Sequence, residues 1–252
     1  HTDQPVVLLV DDHQDVLEYL QICVSSQYQV LTASDGEEAL SLAIEQIPDL
    51  IVSDIMMERM NGYQLLEELK GNIITNHIPV ILLTAKTSQE ERQLGIKMGA
   101  DAYLCKPFDQ KELLLRIQNL LQLLENNKLK FQHPRLAVSS QLSSSRDLFL
   151  DQLESFVREH ILEDFGVEDV AYHFSVSRVQ LYRKVKATTG KSVSAYIRLI
   201  RLYEGRKLLR TTPRNISEIA FEVGFKDPNY FSRTFQEEFG RSPSDFRLKV
   251  AD

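Results

Sequence analysis

The first half of this chain alternates two kinds of segment, and that alternation restricts its fold more than any other feature. Short apolar runs at residues 6–10, 28–33, 50–53, 80–83 and 102–105 are separated by stretches whose apolar residues recur at helical spacing, as Val16, Leu20 and Val24 do, and later Leu65, Leu66 and Leu69. Another helix start is marked by Asp35 with Glu38 three residues on, a capping-box pattern. Runs this apolar belong to buried strands. Five βα units in series predict a doubly wound α/β fold with a five-stranded parallel sheet, whose functional side chains gather in the crevice at the carboxyl ends of the strands.

Four of the runs stop at or beside a residue with chemistry to offer: Asp11 and Asp12, Asp54, Thr84 and Lys106. A carboxylate such as Asp54 can attack a phosphoryl group, but the donor's negative oxygens repel it unless a cation lies between them. Asp11 and Asp12 supply hard oxygens for that cation, and Mg²⁺ needs only one or two carboxylates beside a phosphate. Lys106 brings a second positive charge to a phosphate oxygen, and the Thr84 hydroxyl can hydrogen-bond another. Ala85 is small enough to leave room for the group. Alone, the acidic pair could be a solvated strand-to-helix turn, and Thr84 a strand-end hydroxyl. The conjunction of all four predicts an aspartate that accepts phosphate.

Here residues 4–124 resemble the receiver domain of response regulators, a flavodoxin-like fold. The segments that carry the resemblance are VLLVDDHQDV, SDIMMERMNG around Asp54, LLTAK at Thr84 and YLCKPF at Lys106 and Pro107. The resemblance implies phosphotransfer to Asp54 from a histidine kinase, a Mg²⁺ site formed by Asp11, Asp12, Asp54 and the backbone carbonyl of Met56, and a cis peptide before Pro107. It also implies a switch role for Tyr103, whose ring turns inward when Thr84 moves to the phosphate. Glu58 departs from the proline usual in the family and is expected to loosen the loop after Asp54.

Composition changes at residue 125. Residues 125–146 are rich in Asn, Gln and Ser and lack sustained apolar periodicity, which predicts a linker between a receiver at 1–124 and a second domain at 147–252. Just before it, Leu113, Ile117, Leu120 and Leu124 form a helical stripe; the first two are expected to pack on the sheet, and the last two to run on into a homodimer seam. Charge changes too. Residues 1–124 hold 8 Lys and Arg against 19 Asp and Glu, a net of −11, whereas residues 166–252 hold 16 against 10, a net of +6. A basic second domain is the footprint expected of phosphate-backbone binding.

Two helix-turn-helix units are legible in that basic half. In VEDVAYHFSVSRVQLYRKVKATTG, Ser177 and Gln180 form a capping box ahead of a second helix with Leu181 and Val185 inward. ISEIAFEVGFKDPNYFSRTFQEEFG repeats the plan with Asp227 as cap, Pro228 at the first helical position and a buried Phe231, Phe235, Phe239 stripe, after a turn one residue longer. Residues 194–209 join the units as one helix. At about 100° per residue, Val179, Arg183 and Lys186 lie opposite the first buried face with Tyr182 at its edge. Asn229, Arg233 and Gln236 lie opposite the second, flanked by Tyr230. Arginine grips guanine edges and Asn or Gln grips adenine, so these positions predict base reading in double-stranded DNA, with Arg178, Lys184 and Arg241 at phosphates.

This half resembles the AraC-type DNA-binding domain through RLIRLYEGRKLL, ISEIAFEVGF, NYFSRTFQEEFG and RSPSDFR. The resemblance implies two recognition helices in successive major grooves, fixed by the connecting helix. Gly205 replaces an expected alanine and is predicted to make that helix more pliable. The order receiver then AraC-type domain resembles the cytoplasmic end of hybrid two-component proteins, with a free-standing regulator as the competing arrangement; the start on His1 leads to an expectation of an excised fragment or a tag scar.

Together these readings predict a phosphorylation-controlled, DNA-binding transcription regulator that dimerises on activation. The competing reading is a receiver that never takes phosphate and serves as a docking or dimerisation module. An aspartyl-phosphate phosphatase is disfavoured because Met56 stands where such enzymes carry a second acid. Two cysteines, Cys23 and Cys105, make no disulfide framework, and six scattered His offer no zinc spacing. The absence of a long apolar run leads to an expectation of a cytoplasmic chain.

Overall fold

The computed structural model describes residues 4–85, 99–131 and 148–248. It divides into two compact units, His1–Leu129 and Lys130–Asp252. Among the described residues no helix is long and apolar enough to cross a membrane.

In the first unit, strands β1 (Val6–Val10), β2 (Gln29–Ala33), β3 (Leu50–Asp54), β4 (Val80–Thr84) and β5 (Ala102–Cys105) form one sheet in the order β2-β1-β3-β4-β5, every pair parallel. This is the expected doubly wound fold. Helices α1 (Gln14–Val24), α2 (Gly36–Gln46), α3 (Gly62–Gly71) and α4 (Gln110–Phe131) follow strands β1, β2, β3 and β5; the helix expected between β4 and β5 falls outside the described residues. Register sets the function-bearing ends level: Val10 pairs with Ser53, Asp54 with Leu83, and Thr84 with Cys105. The chain moves outward from β1 in both directions, and such reversals open a crevice at the carboxyl ends. Val7 to Val10 and Leu50 to Val52 are fully buried, so the sheet centre is anchored by apolar burial and its polar ends are held rigidly.

One boundary differs from expectation. Helix α4 continues to Phe131, past the linker start placed at residue 125, because residues 125–131 contain neither Gly nor Pro and Lys128 pairs with Glu125 at 3.1 Å; residues 132–147 lie outside the described residues. Leu113 and Ile117 join the sheet core as expected, and Leu120 packs partly against the same core. Among the described side chains of α4, the well-exposed leucines are Leu115 and Leu123.

The second unit is all helix: α5 (Leu148–Glu159), α6 (Val167–His173), α7 (Arg178–Thr189), α8 (Val193–Thr211), α9 (Ile216–Glu222), α10 (Pro228–Phe239) and α11 (Pro243–Leu248). Both helix-turn-helix pairs, α6–α7 and α9–α10, begin their turns alike. Val176 N–H donates to Ala171 O and Phe225 N–H to Ala220 O, each after a left-handed residue, Ser175 (φ 54°) and Gly224 (φ 79°). The second turn carries one extra residue before its cap, Lys226. Glycine is required at 224, where an added Cβ would stand 2.3 Å from the Ile161 carbonyl oxygen. Ser177 with Gln180 forms the expected capping box, and Asp227 caps α10 ahead of Pro228. Leu202, Ile219, Phe225, Phe231 and Phe235 share one core around α8.

Candidate functional site

At the carboxyl ends of β1, β3 and β5, three of the predicted groups meet. The Lys106 ammonium lies 2.9 Å from Asp11 Oδ2 and 2.7 Å from Asp54 Oδ1. Asp11 is fully buried and Asp54 is 7% exposed, so this ammonium offsets charge that water cannot reach. Burial works against the charge on Lys106, but the hydrogen bonds and charges of Asp54 and Asp11 outweigh it and hold its pKa above the ordinary lysine value. The other oxygen of Asp54 accepts the Met56 N–H at 2.9 Å, which fixes the plane of the carboxylate. The Lys106–Pro107 peptide is cis.

Asp12 and His13 complete the acidic end. Ligand atoms of Asp11, Asp12 and His13 all lie within 4.8 Å of one another, and His13 Nδ1 is 2.8 Å from Asp12 Oδ1. The hydrogen bond and charge of Asp12 raise the His13 pKa. His13 was not among the predicted site residues; its adjacency to the acidic pair was the available signal. Two carboxylates presented side by side, with a third tied to them through Lys106, are a donor set that fits Mg²⁺. Beside them opens a cavity of ≈ 570 Å³ lined by Asp12, Met56, Glu58, Thr84 and Ala85, among others. Thr84 and Ala85 are thus at the site. Tyr103 is 7% exposed, and its hydroxyl has no hydrogen-bond partner among the described residues. Burial pushes its pKa to about 12, with the neighbouring Tyr63 adding to the shift.

The loop after Asp54 is pinned despite Glu58. Gly62 abuts the strand it follows, so that an added Cβ would stand 2.3 Å from Asp54 O, and its N–H donates to Ile55 O at 3.0 Å. Met60 folds onto Gly36, where an added Cβ would meet its carbonyl oxygen at 2.5 Å. Arg59, in the left-handed region at φ 60°, reaches Asp35 Oδ2 at 3.1 Å. Asn61 and Gln64 then cap α3 reciprocally.

In the helical unit the predicted readers fall on accessible faces. On α7, Arg178, Val179, Tyr182 and Lys186 are exposed and Arg183 partly so; on α10, Asn229, Arg233 and Gln236 are exposed and Tyr230 partly so. Arg178 pairs with Glu168 at 2.7 Å. Lys184 is a correction: it is fully buried, its ammonium 5.7 Å from the Phe149 ring centroid, so it cannot meet a phosphate. It lies three residues after Leu181 and one before Val185, on the inward face. Gly205 has a packing role that the sequence does not show: an added Cβ would meet the Phe231 ring at 2.9 and 3.1 Å, so this glycine lets the second recognition helix pack close to α8.

Comparison with known proteins agrees with both halves. Residues 7–118 match the family model described as response regulator receiver domain, and residues 170–249 match one described as helix-turn-helix domain. Histidine kinase P4 of Formosa agariphila is 36% identical over 253 residues, covering 99% of this chain and 18% of that protein. The response regulator SaeR of Staphylococcus aureus is 43% identical over 116 residues, 46% of this chain and 50% of its own. This chain therefore spans half or less of the length of these relatives. Among solved structures, chemotaxis protein CheY4 of Vibrio cholerae is 33% identical with a TM-score of 0.45, covering 46% of this chain and 98% of that one.

Proposed function

This chain belongs to the response-regulator receiver family in residues 7–118 and to the AraC-type helix-turn-helix family in residues 170–249, and on that footing we propose that it is a transcription regulator whose DNA binding is controlled by phosphorylation of Asp54. The observation that carries this reading is the Lys106 ammonium shared between buried Asp11 and Asp54. A histidine kinase is the proposed donor. The likeness to the Formosa kinase along the whole chain supports a kinase on the same parent polypeptide.

Asp11, Asp12, Asp54 and the Met56 carbonyl would hold Mg²⁺, which when bound neutralises charge on the phosphoryl oxygens. The residues of the chain do the rest. The Met56 N–H and Lys106 hold the Asp54 carboxylate in one orientation; one of its oxygens bonds to phosphorus as the donor's P–N bond breaks, the electron pair leaving on the imidazole nitrogen. Lys106 then donates to a phosphoryl oxygen and Thr84 to another, and Tyr103 follows Thr84 as the switch. The outcome read by DNA is dimerisation or release of the helix-turn-helix half, whose predicted readers are Val179, Tyr182, Arg183 and Lys186 on α7 and Asn229, Tyr230, Arg233 and Gln236 on α10.

The test compares the parent with Asp54→Asn after treatment with a small phosphodonor and Mg²⁺. The parent gains the mass of one phosphoryl group and DNA affinity; the variant gains neither. Equal gains in both would overturn the assignment of Asp54, and an unmodified parent would favour the docking module.

A further inference from the structure

Between the two helix-turn-helix units lies a cleft of ≈ 680 Å³ whose walls include Gly166 before α6, Arg198 and Arg201 on α8, and Lys226, Tyr230 and Arg233 around the start of α10. We infer that this cleft seats a backbone phosphate of the bound DNA, with Arg198 of the connecting helix as its chief cation. The inference rests on the DNA-binding reading above and adds a contact on a helix that the sequence treats only as a spacer.

Arg198 donates to the Tyr230 hydroxyl, and its guanidinium lies 5.9 Å from the centroid of that ring. Arg233, one turn along α10, lies 5.3 Å from the same centroid. Two guanidinium groups are therefore gathered on one phenol. Neither has a carboxylate partner among the described residues, whereas Arg158, Arg178, Arg214 and Lys226 each have one. Gathering two uncompensated cations costs free energy unless an anion joins them. Arg201 is committed elsewhere, donating to Gly224 O at 2.9 Å and lying over Phe165 at 5.0 Å, so it builds the wall. Lys226, the extra residue of the second turn, adds a charge whose pairing with Asp164 is fully solvent-exposed and readily exchanged. Asp227, the acidic side chain in the lining, is occupied in capping α10.

The location favours a phosphate over a base edge. Two recognition helices in successive major grooves must straddle a stretch of backbone, and groups between the units meet phosphates there while groups on the helices meet bases.

The test measures affinity of the whole chain for a duplex it selects from random DNA, and for a scrambled duplex, across a salt series. Arg198→Gln should weaken both duplexes by the same factor and lower the slope of log affinity against log salt by about one. Arg198→Lys keeps the slope, because the charge remains. Tyr230→Phe removes the hydroxyl that accepts from Arg198 but no charge, and should also keep the slope. An unchanged slope in Arg198→Gln, or a clearly unequal weakening of the two duplexes, would overturn the inference, the latter making Arg198 a reader of bases. Saturable binding of inorganic phosphate to the DNA-free protein, lost in Arg198→Gln with no change of slope, would assign the cleft to a free phosphorylated ligand and also overturn it. A parent that prefers no duplex at any salt would instead sink the DNA-binding reading itself.

Discussion

In the receiver crevice Lys106 is shared between two buried carboxylates, and the loop beneath it is packed backbone against backbone at Gly62 and Gly36. In the helix-turn-helix half, Arg198 and Arg233 stand without a carboxylate among the described residues, and the recognition helix is seated ring against helix, Phe231 on Gly205. On the proposed function, the difference follows from what each region would do. Phosphoryl transfer needs atoms fixed to fractions of an ångström, so its charges are neutralised within the fold and its loops allow no added methyl group. DNA reading needs a helix held at one angle but side chains left to adapt, so the packing is aromatic and the charges await a partner.

One methyl group added in each region separates the two kinds of rigidity. Gly62→Ala places a carbon 2.3 Å from Asp54 O and 2.9 Å from Ile55 Cα, and backbone must move to admit it. The receiver should lose about 3 kcal/mol or more, at the upper end of overpacking, and phosphoryl uptake should fall with it because the shift begins at Asp54. Chemical denaturation together with mass measurement after phosphodonor treatment checks both. Gly205→Ala meets only a ring edge, and alanine returns roughly 1 kcal/mol of helix propensity. The net loss should be about 1 kcal/mol, with DNA affinity reduced as α10 is pushed from α8 and phosphoryl uptake unchanged. If the order of the two stability losses reverses, the contrast between backbone and aromatic seating is wrong.

What was legible in the sequence divides along the same line. Asp11, Asp54, Thr84 and Lys106 could be placed together because each ends an apolar run, and a parallel sheet brings such ends level without any knowledge of packing. The recognition faces of α7 and α10 followed from helical phase. Phase gives the direction of a face but not its width, so it does not show that Lys184, three residues from Leu181, is buried against Phe149. Arg198 was missed for a related reason: its significance lies in a contact to Tyr230, 32 residues away, and no local period reports that. Comparing Glu58 alone with a family habit predicts a looser loop after Asp54. The loop is held instead by the close approach of Gly62 to Asp54 and Ile55 and by two contacts that reach back to the start of α2, Met60 on Gly36 and Arg59 on Asp35. Asn, Gln and Ser after residue 124 suggest a linker, but residues 125–131 contain neither Gly nor Pro, and the helix continues through them.

Tyr103 offers the smallest effect at neutral pH and the finest test of how closed the receiver is. Its hydroxyl is buried without a partner among the described residues, which is costly, so Tyr103→Phe should leave stability at neutral pH unchanged or slightly higher. At alkaline pH the two proteins should part. Burial raises the phenol pKa from 10 to about 12, so below pH 10 the group is neutral in both folded and unfolded chains. Between pH 10 and about 12 the unfolded chain releases the proton and the folded one does not, and the parent loses stability as pH rises through that window. The variant lacks this group and should lose less over the same range, although Tyr28, also raised by burial, contributes equally to both. Denaturant midpoints for the pair, followed from pH 8 to 12, report the difference; parallel curves would mean that the Tyr103 phenol is as open to water in the folded receiver as in the unfolded chain, and that the closed crevice is less tightly packed around its switch than around Asp54.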